Sequence, residues 1–262
     1  MEYRLGTMGF GYRAWSGAFY PSSLPASKYL EHYSRRMDSV ELDTTFHAAP
    51  PPERFEKWRD MVPETFRFCV KAPKTVTHEV SPQHGITPML DFIRSARHLG
   101  SKLAVILLQY PPTFTAHELP ALAGFLDRLP TDVRFAVEFR HASWIDVAPR
   151  LLSERGMALV CAEYEAPPLE PVATASFLYV RLIGVHDRYP EMNRESFDPT
   201  PRLQWWVERL SAMRDTVQTT WVMFNNDYAG YAIATAGRFR KLAGLPEPVE
   251  PTETSQQLSL FD

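Results

Sequence analysis

"FAVEFRHASW", Phe135–Trp144, changes character halfway along. Phe135, Ala136 and Val137 form a run with no polar side, and then Glu138, Arg140 and His141 fall within four residues. A strand that is apolar on both faces has to be covered on both, as in a parallel sheet wrapped by helices. Charge gathered at the C-terminal end of such a strand is the pattern of a TIM barrel, whose chemistry sits at that end.

The same pattern recurs along the chain. Short apolar runs predict strands at 3–7, 39–43, 66–71, 103–109, 135–139, 157–162, 177–184 and 220–226. Amphipathic stretches between them predict helices over 25–37, 51–61, 87–100, 118–129, 144–156, 201–214 and 229–244. Ser27 is placed to cap the first and Gly100 to end the third. The gap 163–176 is too rich in proline for a good helix. Eight strands alternating with about seven helices in one domain predict a (β/α)8 TIM barrel over residues 1–244. A doubly wound sheet is the alternative, but no G-x-G-x-x-G follows the first strand.

Bulk properties narrow the function. Of 262 residues 45% are hydrophobic, enough for one sizeable core. The net charge is −3, and without the four acids of the last 18 residues the body carries +1. No bulk positive field advertises nucleic-acid binding, so any DNA contact has to use a local patch. Cys69 and Cys161 lie in apolar runs and read as core residues. The N-terminus has no basic-then-apolar leader, and no apolar run reaches membrane-spanning length. These features predict a cytoplasmic protein with no membrane partner.

Reading the C-terminal strand ends of a barrel assembles one polar mouth. It receives Glu41 from the second strand, Lys71 and then His78 from the third, and Gln109 from the fourth. The fifth adds Glu138, Arg140, His141 and Trp144, the seventh Arg181, and the eighth Asn225, Asn226, Asp227 and Tyr231. Each has a plain structural reading: Glu41 as a salt-bridged barrel residue, Lys71 as the partner of an acid across the barrel, Asn225–Asp227 as a self-bonding turn. Together, acids, cations and amides at one mouth suit an anionic substrate such as a phosphate ester. Glu41, Lys71, Glu138, His141 and Asp227 are the catalytic candidates; His78, Gln109, Arg140, Trp144, Arg181, Asn225, Asn226 and Tyr231 are the substrate-binding ones. The Glu41–Glu138 pair suits acid/base work or a divalent metal. No cofactor is specified, and no histidine-rich zinc motif is present.

At these residues the chain resembles the YecE-like family, domain of unknown function 72. The resemblance rests on "GTMGFGYRAWSGAFYP", "VELDTTFHAAPPPERFEKW", "FRFCVKAPKTVTHE", "LLQYPPTF", "FAVEFRHASW", "YVRLIG" and "FNNDYAGYA", in that order from residue 3 to about 243. It implies a TIM barrel distantly related in fold to endonuclease IV and the xylose isomerases, and it implies no established reaction. Glu41, Lys71, His78, Glu138, Arg140, His141, Arg181 and Asn225–Asp227 match the family pattern. "TMGFGY", His47 and "LIGVH" with His186 depart from it, in the first, second and seventh loops. The family lacks the histidine and acid metal cluster of endonuclease IV, so that zinc mechanism is not carried over.

Residues 245–262, "LPEPVEPTETSQQLSLFD", combine three prolines with four acids, a composition that predicts a disordered tail. Its end, Gln257-Leu258-Ser259-Leu260-Phe261, is similar to the bacterial sliding-clamp binding pentapeptide, with a few anchor side chains on a proline-rich spacer. Three functions are consistent with the whole: a phosphodiester hydrolase or lyase of DNA repair recruited by the clamp, a sugar phosphate enzyme that the tail only localises, and a non-catalytic ligand-binding adaptor.

Overall fold

The computed structural model describes residues 1–164 and 170–248. Eight strands, β1 Glu2–Met8, β2 Ser39–Leu42, β3 Arg67–Lys71, β4 Leu103–Gln109, β5 Phe135–Glu138, β6 Ala158–Glu163, β7 Phe177–Leu182 and β8 Thr219–Phe224, pair in sequence order into a closed, all-parallel barrel. Among the described residues ten α-helices accompany them: α1 Tyr29–Ser34, α2 Thr44–His47, α3 Pro52–Asp60, α4 Lys74–Thr77, α5 Ile86–Ala96, α6 Leu119–Leu126, α7 Ala148–Ser153, α8 Thr200–Ala212, α9 Asn226–Ala229 and α10 Ala232–Leu242. Among the described residues between β6 and β7 none is helical. No helix of the described chain is long and apolar enough to cross a membrane.

Period-two alternation divides each strand between two cores. Val40, Leu42, Phe68, Val70, Ile106, Leu108, Val137, Val180 and Val222 point outward into the helix-covered core. Met8, Cys69, Leu107, Ala136, Val160, Tyr179, Trp221 and Met223 fill the barrel itself. Continuing that inward register past the apolar layer reaches Glu41, Lys71, Gln109, Glu138 and Arg181, all buried. Register pairs Met8 with Glu41 and Gln109 with Glu138 at the same level. The barrel interior is thus apolar below and charged at its C-terminal mouth.

Several local expectations are corrected. Ser27 lies inside a 3-10 turn, Ala26–Lys28, and caps nothing. The helix expected over 87–100 is α5, which ends at Ala96, and Gly100, at φ 59°, breaks the 3-10 segment Arg97–Lys102 that follows. The stretch 229–244 divides at Gly230, whose φ of 97° is left-handed and whose added Cβ would meet Arg194 O at 2.7 Å. Strands seven and eight stop at Leu182 and Phe224, so Ile183-Gly184 and Asn225-Asn226 are loop and helix start. Gly184 is required there: at φ 77°, a Cβ would come 2.1 Å from Asp227 O. The ends of β7 and β8 therefore touch backbone to backbone, which sets where Asp227 stands. Cys69 is buried, Cys161 is half-buried, and both are free thiols.

Candidate active site at the mouth of the barrel

Arg181 is the hub. Its Nη2 donates to Glu41 Oε1 at 2.6 Å, its Nε to Glu41 Oε2 at 3.1 Å, and its Nη1 to Glu138 Oε2 at 2.5 Å. Tyr179 Oη donates to Glu41 Oε2 at 2.8 Å. Glu138 Oε1 accepts from Arg140 Nε at 3.1 Å and from Tyr164 Oη. Glu41, Glu138 and Arg181 are between 0 and 3% exposed, so this is a buried carboxylate–guanidinium–carboxylate bridge with every carboxylate oxygen bonded. A bridge of this kind adds little net stability, because desolvating three charges offsets their attraction.

The two carboxylates are not equivalent. Burial pushes Glu41 up to about 7, with the Asp43 charge adding to the rise and Arg181 opposing it. Burial also acts on Glu138, but the guanidinium groups of Arg181 and Arg140 and the Tyr164 hydroxyl outweigh it and hold this carboxyl down to about 2. Environments that separate two neighbouring carboxyl groups in this way assign them different work. Glu41 exchanges its proton near neutrality, whereas Glu138 stays ionised and holds two arginines. The Glu41–Glu138 pair does not fit a divalent metal: the Arg181 guanidinium lies between the two groups and takes the oxygens a cation would need.

Lys71 stands apart from the bridge. It is 9% exposed, and its Nζ lies 4.2 Å from the centre of the Phe46 ring. Among the described residues it forms no ion pair, so the acid partner allowed for in the sequence reading is not found. Burial lowers its pKa from the ordinary lysine value, and the Arg181 charge adds to this against the pull of Asp43, Glu41 and Glu138. His78 packs edge-on against Phe46 at 4.9 Å, and its Nδ1 lies 2.8 Å from Thr77 Oγ1. Its pKa is lowered by burial and by the charges of Lys71 and Arg140. Across the mouth, Tyr12 is raised by burial and by Asp43, Asp227 and Glu41. Lys71 and His78 at the end of β3 thus stand near Arg140 after β5, with Asp43 after the adjacent β2 and Asp227 after β8.

Other sequence candidates have different places. His141 is exposed; its Nδ1 accepts from the Ser143 N–H at 3.1 Å and caps the turn Ala142–Trp144, outside the bonded cluster. Trp144 is 1% exposed, stacked between Phe114 and Phe139, with Nε1 donating to Phe114 O at 2.8 Å. Gln109 donates its amide to Tyr110 O. Asn225 caps α9 by accepting from Asp227 N. Asn226 Oδ1 accepts from Trp15 Nε1 at 3.1 Å and Ala232 N at 3.0 Å, pinning the β1 loop to the β8 loop. Tyr231 lies edge-on to the same Trp15. These contacts hold Trp144, Gln109, Asn225, Asn226 and Tyr231 in the walls of the mouth, with His141 in an exposed turn beside it. Gln257, Leu258, Ser259, Leu260 and Phe261 lie outside the described residues.

The sequence reading missed Tyr179, Tyr164 and Asp43. Tyr179 and Asp43 each stand two positions from a named residue, Arg181 and Glu41, and so share its face; the period-two argument reaches both. Asp43 Oδ1 lies 3.7 Å from Arg181 Nη2 and is buried without a hydrogen bond among the described residues. Tyr164 is the first polar residue past β6, a strand end that contributes none of the sequence candidates.

The family model described as "Protein of unknown function DUF72" matches residues 4–258. The chain belongs to the DUF72 family. Among curated relatives of this DUF72 chain, YunF of Bacillus subtilis is 35% identical over 250 residues, covering 82% of this chain and 86% of that one. YecE of Escherichia coli K12 is 32% identical over 213 residues, covering 71% and 75%. A crystal structure of a DUF72 family protein from Thermotoga maritima superposes with a TM-score of 0.75 at 26% identity, covering 93% of this chain and all of that one. A second, from Enterococcus faecalis, gives 0.69 at 22% identity over 93% and 96%, which bears on the fold alone.

Proposed function

We propose that the chain is an enzyme acting on a phosphate-bearing substrate held at the barrel mouth. The observation that carries this reading is Lys71, a buried amine in no ion pair among the described residues and facing a rim whose cations lie on its own side. An unpaired buried cation is costly, and an anion from outside relieves that cost. Lys71, His78 and Arg140 would take the phosphoryl oxygens. Glu41, poised near neutrality, would move the proton that hydrolysis or lyase-type elimination requires. Asp43, after the strand β2 that neighbours β3, suits a hydroxyl group of the same substrate. Arg181 and Glu138 would fix Glu41 in place.

Calorimetric titration with matched pairs tests this: ribose 5-phosphate against ribose, and a dinucleoside phosphodiester against its nucleosides. Phosphorylated members are expected to bind at least tenfold tighter, with the gain removed by Arg140→Ala. Equal affinity within each pair would end the phosphate reading. The tail carries a second part of the proposal, recruitment to DNA by the sliding clamp, supported by its last residues. A labelled peptide spanning residues 252–262 is expected to bind the clamp in fluorescence polarisation and to lose binding with Leu260→Ala and Phe261→Ala; no binding would return the choice to sugar phosphates.

A further inference from the structure

Beside the bridge, beyond the ends of β6, β7 and β8, lies a cavity of about 410 Å³. Small-ligand sites run from about 300 to 1,000 Å³. Tyr164, Arg188, Tyr189, Phe197, Asp227 and Tyr228 line it. Tyr164 is the wall shared with the site already described, since its hydroxyl bonds Glu138. Arg202 reaches the cavity with its guanidinium held by the buried Glu163 at 2.5 Å.

Three features restrict what can enter. Phe197 is 42% exposed, one of few large apolar side chains left in water, and it opens into a cavity that also holds Tyr189. Exposed aromatic rings in a small cavity favour a planar, stackable ligand. Asp227 is 5% exposed, yet its Oδ1 has no hydrogen-bond partner among the described residues, whereas the hydroxyl of the neighbouring Tyr228 meets the Glu163 carboxylate. The other Asp227 oxygen lies 3.3 Å from His186 Nδ1. A carboxylate oxygen accepts, so a ligand N–H or O–H aimed at Oδ1 supplies the partner it lacks. Arg188 stands at the rim, exposed and 5.8 Å from the Tyr189 ring, where it can meet an anionic substituent.

We infer that this cavity is a nucleobase subsite: the base stacks on Phe197 and Tyr189, gives an amino or imino N–H to Asp227, and presents its phosphate toward Arg188 and the mouth. The inference rests on the phosphate reading for the substrate as a whole, and it narrows that substrate to a nucleotide. The same chemistry is offered by a free nucleotide and by an unpaired nucleotide within a strand.

Saturation-transfer NMR and calorimetry on the full chain test it, with four nucleosides, their 5′-monophosphates, ribose 5-phosphate and a short single-stranded oligonucleotide. At least one nucleoside is expected to bind and its monophosphate to bind more tightly than ribose 5-phosphate. Phe197→Ala should weaken nucleoside binding at least about fivefold, the loss expected for one base–aromatic stack. Asp227→Asn, which puts a donor where an acceptor stood, should weaken it too. Ribose 5-phosphate affinity should not move with Phe197→Ala. Tighter binding of the oligonucleotide than of the monophosphate would assign the subsite to a strand; the reverse would assign it to a free nucleotide. Absence of nucleoside binding, or nucleoside affinity unchanged in both variants, would overturn the subsite. Nucleosides that bind as well as their phosphates would instead sink the phosphate reading and leave the base subsite standing.

Discussion

Arg181→Met is expected to lower folding stability by about 3–5 kcal/mol at pH 7, the cost of leaving buried carboxylates without their cation. Glu41 and Glu138 would both face the loss, because Arg181 supplies three of the bonds that hold them. Urea denaturation measures it. The triple replacement Glu41→Leu, Glu138→Met and Arg181→Met should recover most of that stability, because apolar groups of similar size remove the desolvation cost along with the attraction. A triple variant no more stable than the single one would mean that the bridge holds the barrel closed and is not a costly device kept for function.

The pH dependence gives an independent check. In the wild type Glu41 titrates at about 7 when folded, above its ordinary 4.5. Its contribution to stability is therefore full below pH 4.5 and is lost as the pH rises through 7. Glu138 titrates at about 2 when folded, below the ordinary 4.5. Its contribution is present above pH 4.5 and is lost as the pH falls toward 2. Glu41→Gln should flatten the neutral window and leave the acid one unchanged. Arg181→Met should be least stable at neutral and alkaline pH and should recover toward pH 4–5, where both carboxyl groups can be neutral.

Lys71→Met is expected to lower kcat by about 10²–10³-fold on whichever phosphorylated compound is turned over, the range for loss of one positioned donor to developing negative charge. Stability should stay level or rise. Burial lowers the folded pKa of this amine, so its charge opposes folding at neutral pH. Methionine fills the same space beside Phe46 with no charge to desolvate. Lys71→Arg separates two roles. Arginine keeps the charge and cannot give up its proton, so a retained KM with a lost kcat would mark the amine as a base or nucleophile. Full activity in Lys71→Arg would reduce it to an anion ligand, and full activity in Lys71→Met would remove it from the site.

Much of this was legible in the chain itself. "FAVEFRHASW" and its seven counterparts gave eight strands and the polarity of their ends, because a strand covered on both faces cannot hide its pattern. Period two placed Glu41, Glu138 and Arg181 on the barrel interior, and it would have placed Tyr179 and Asp43 there as well. Helix limits were less legible. Gly230 and Gly100 break helical stretches only because the backbone at each takes a left-handed conformation, which the sequence permits but does not require.

What the amino-acid order determined by itself is the barrel and the set of charges at its mouth. Which charge meets which was decided only by closure. Arg181 reaches Glu41 across 140 positions of chain and Glu138 across 43, and no local rule links them. Closure also separated equals: it gave Glu138 two guanidinium groups and Glu41 a neighbouring carboxylate, so identical side chains titrate at opposite ends of the acid range. It tied Trp144 to Phe114 and Asn226 to Trp15 across loops, left His141 exposed, and left Lys71 in no ion pair among the described residues. Electrostatic energy in a low-dielectric interior depends on distances of a few ångströms, and those distances exist only once the eighth strand has paired with the first.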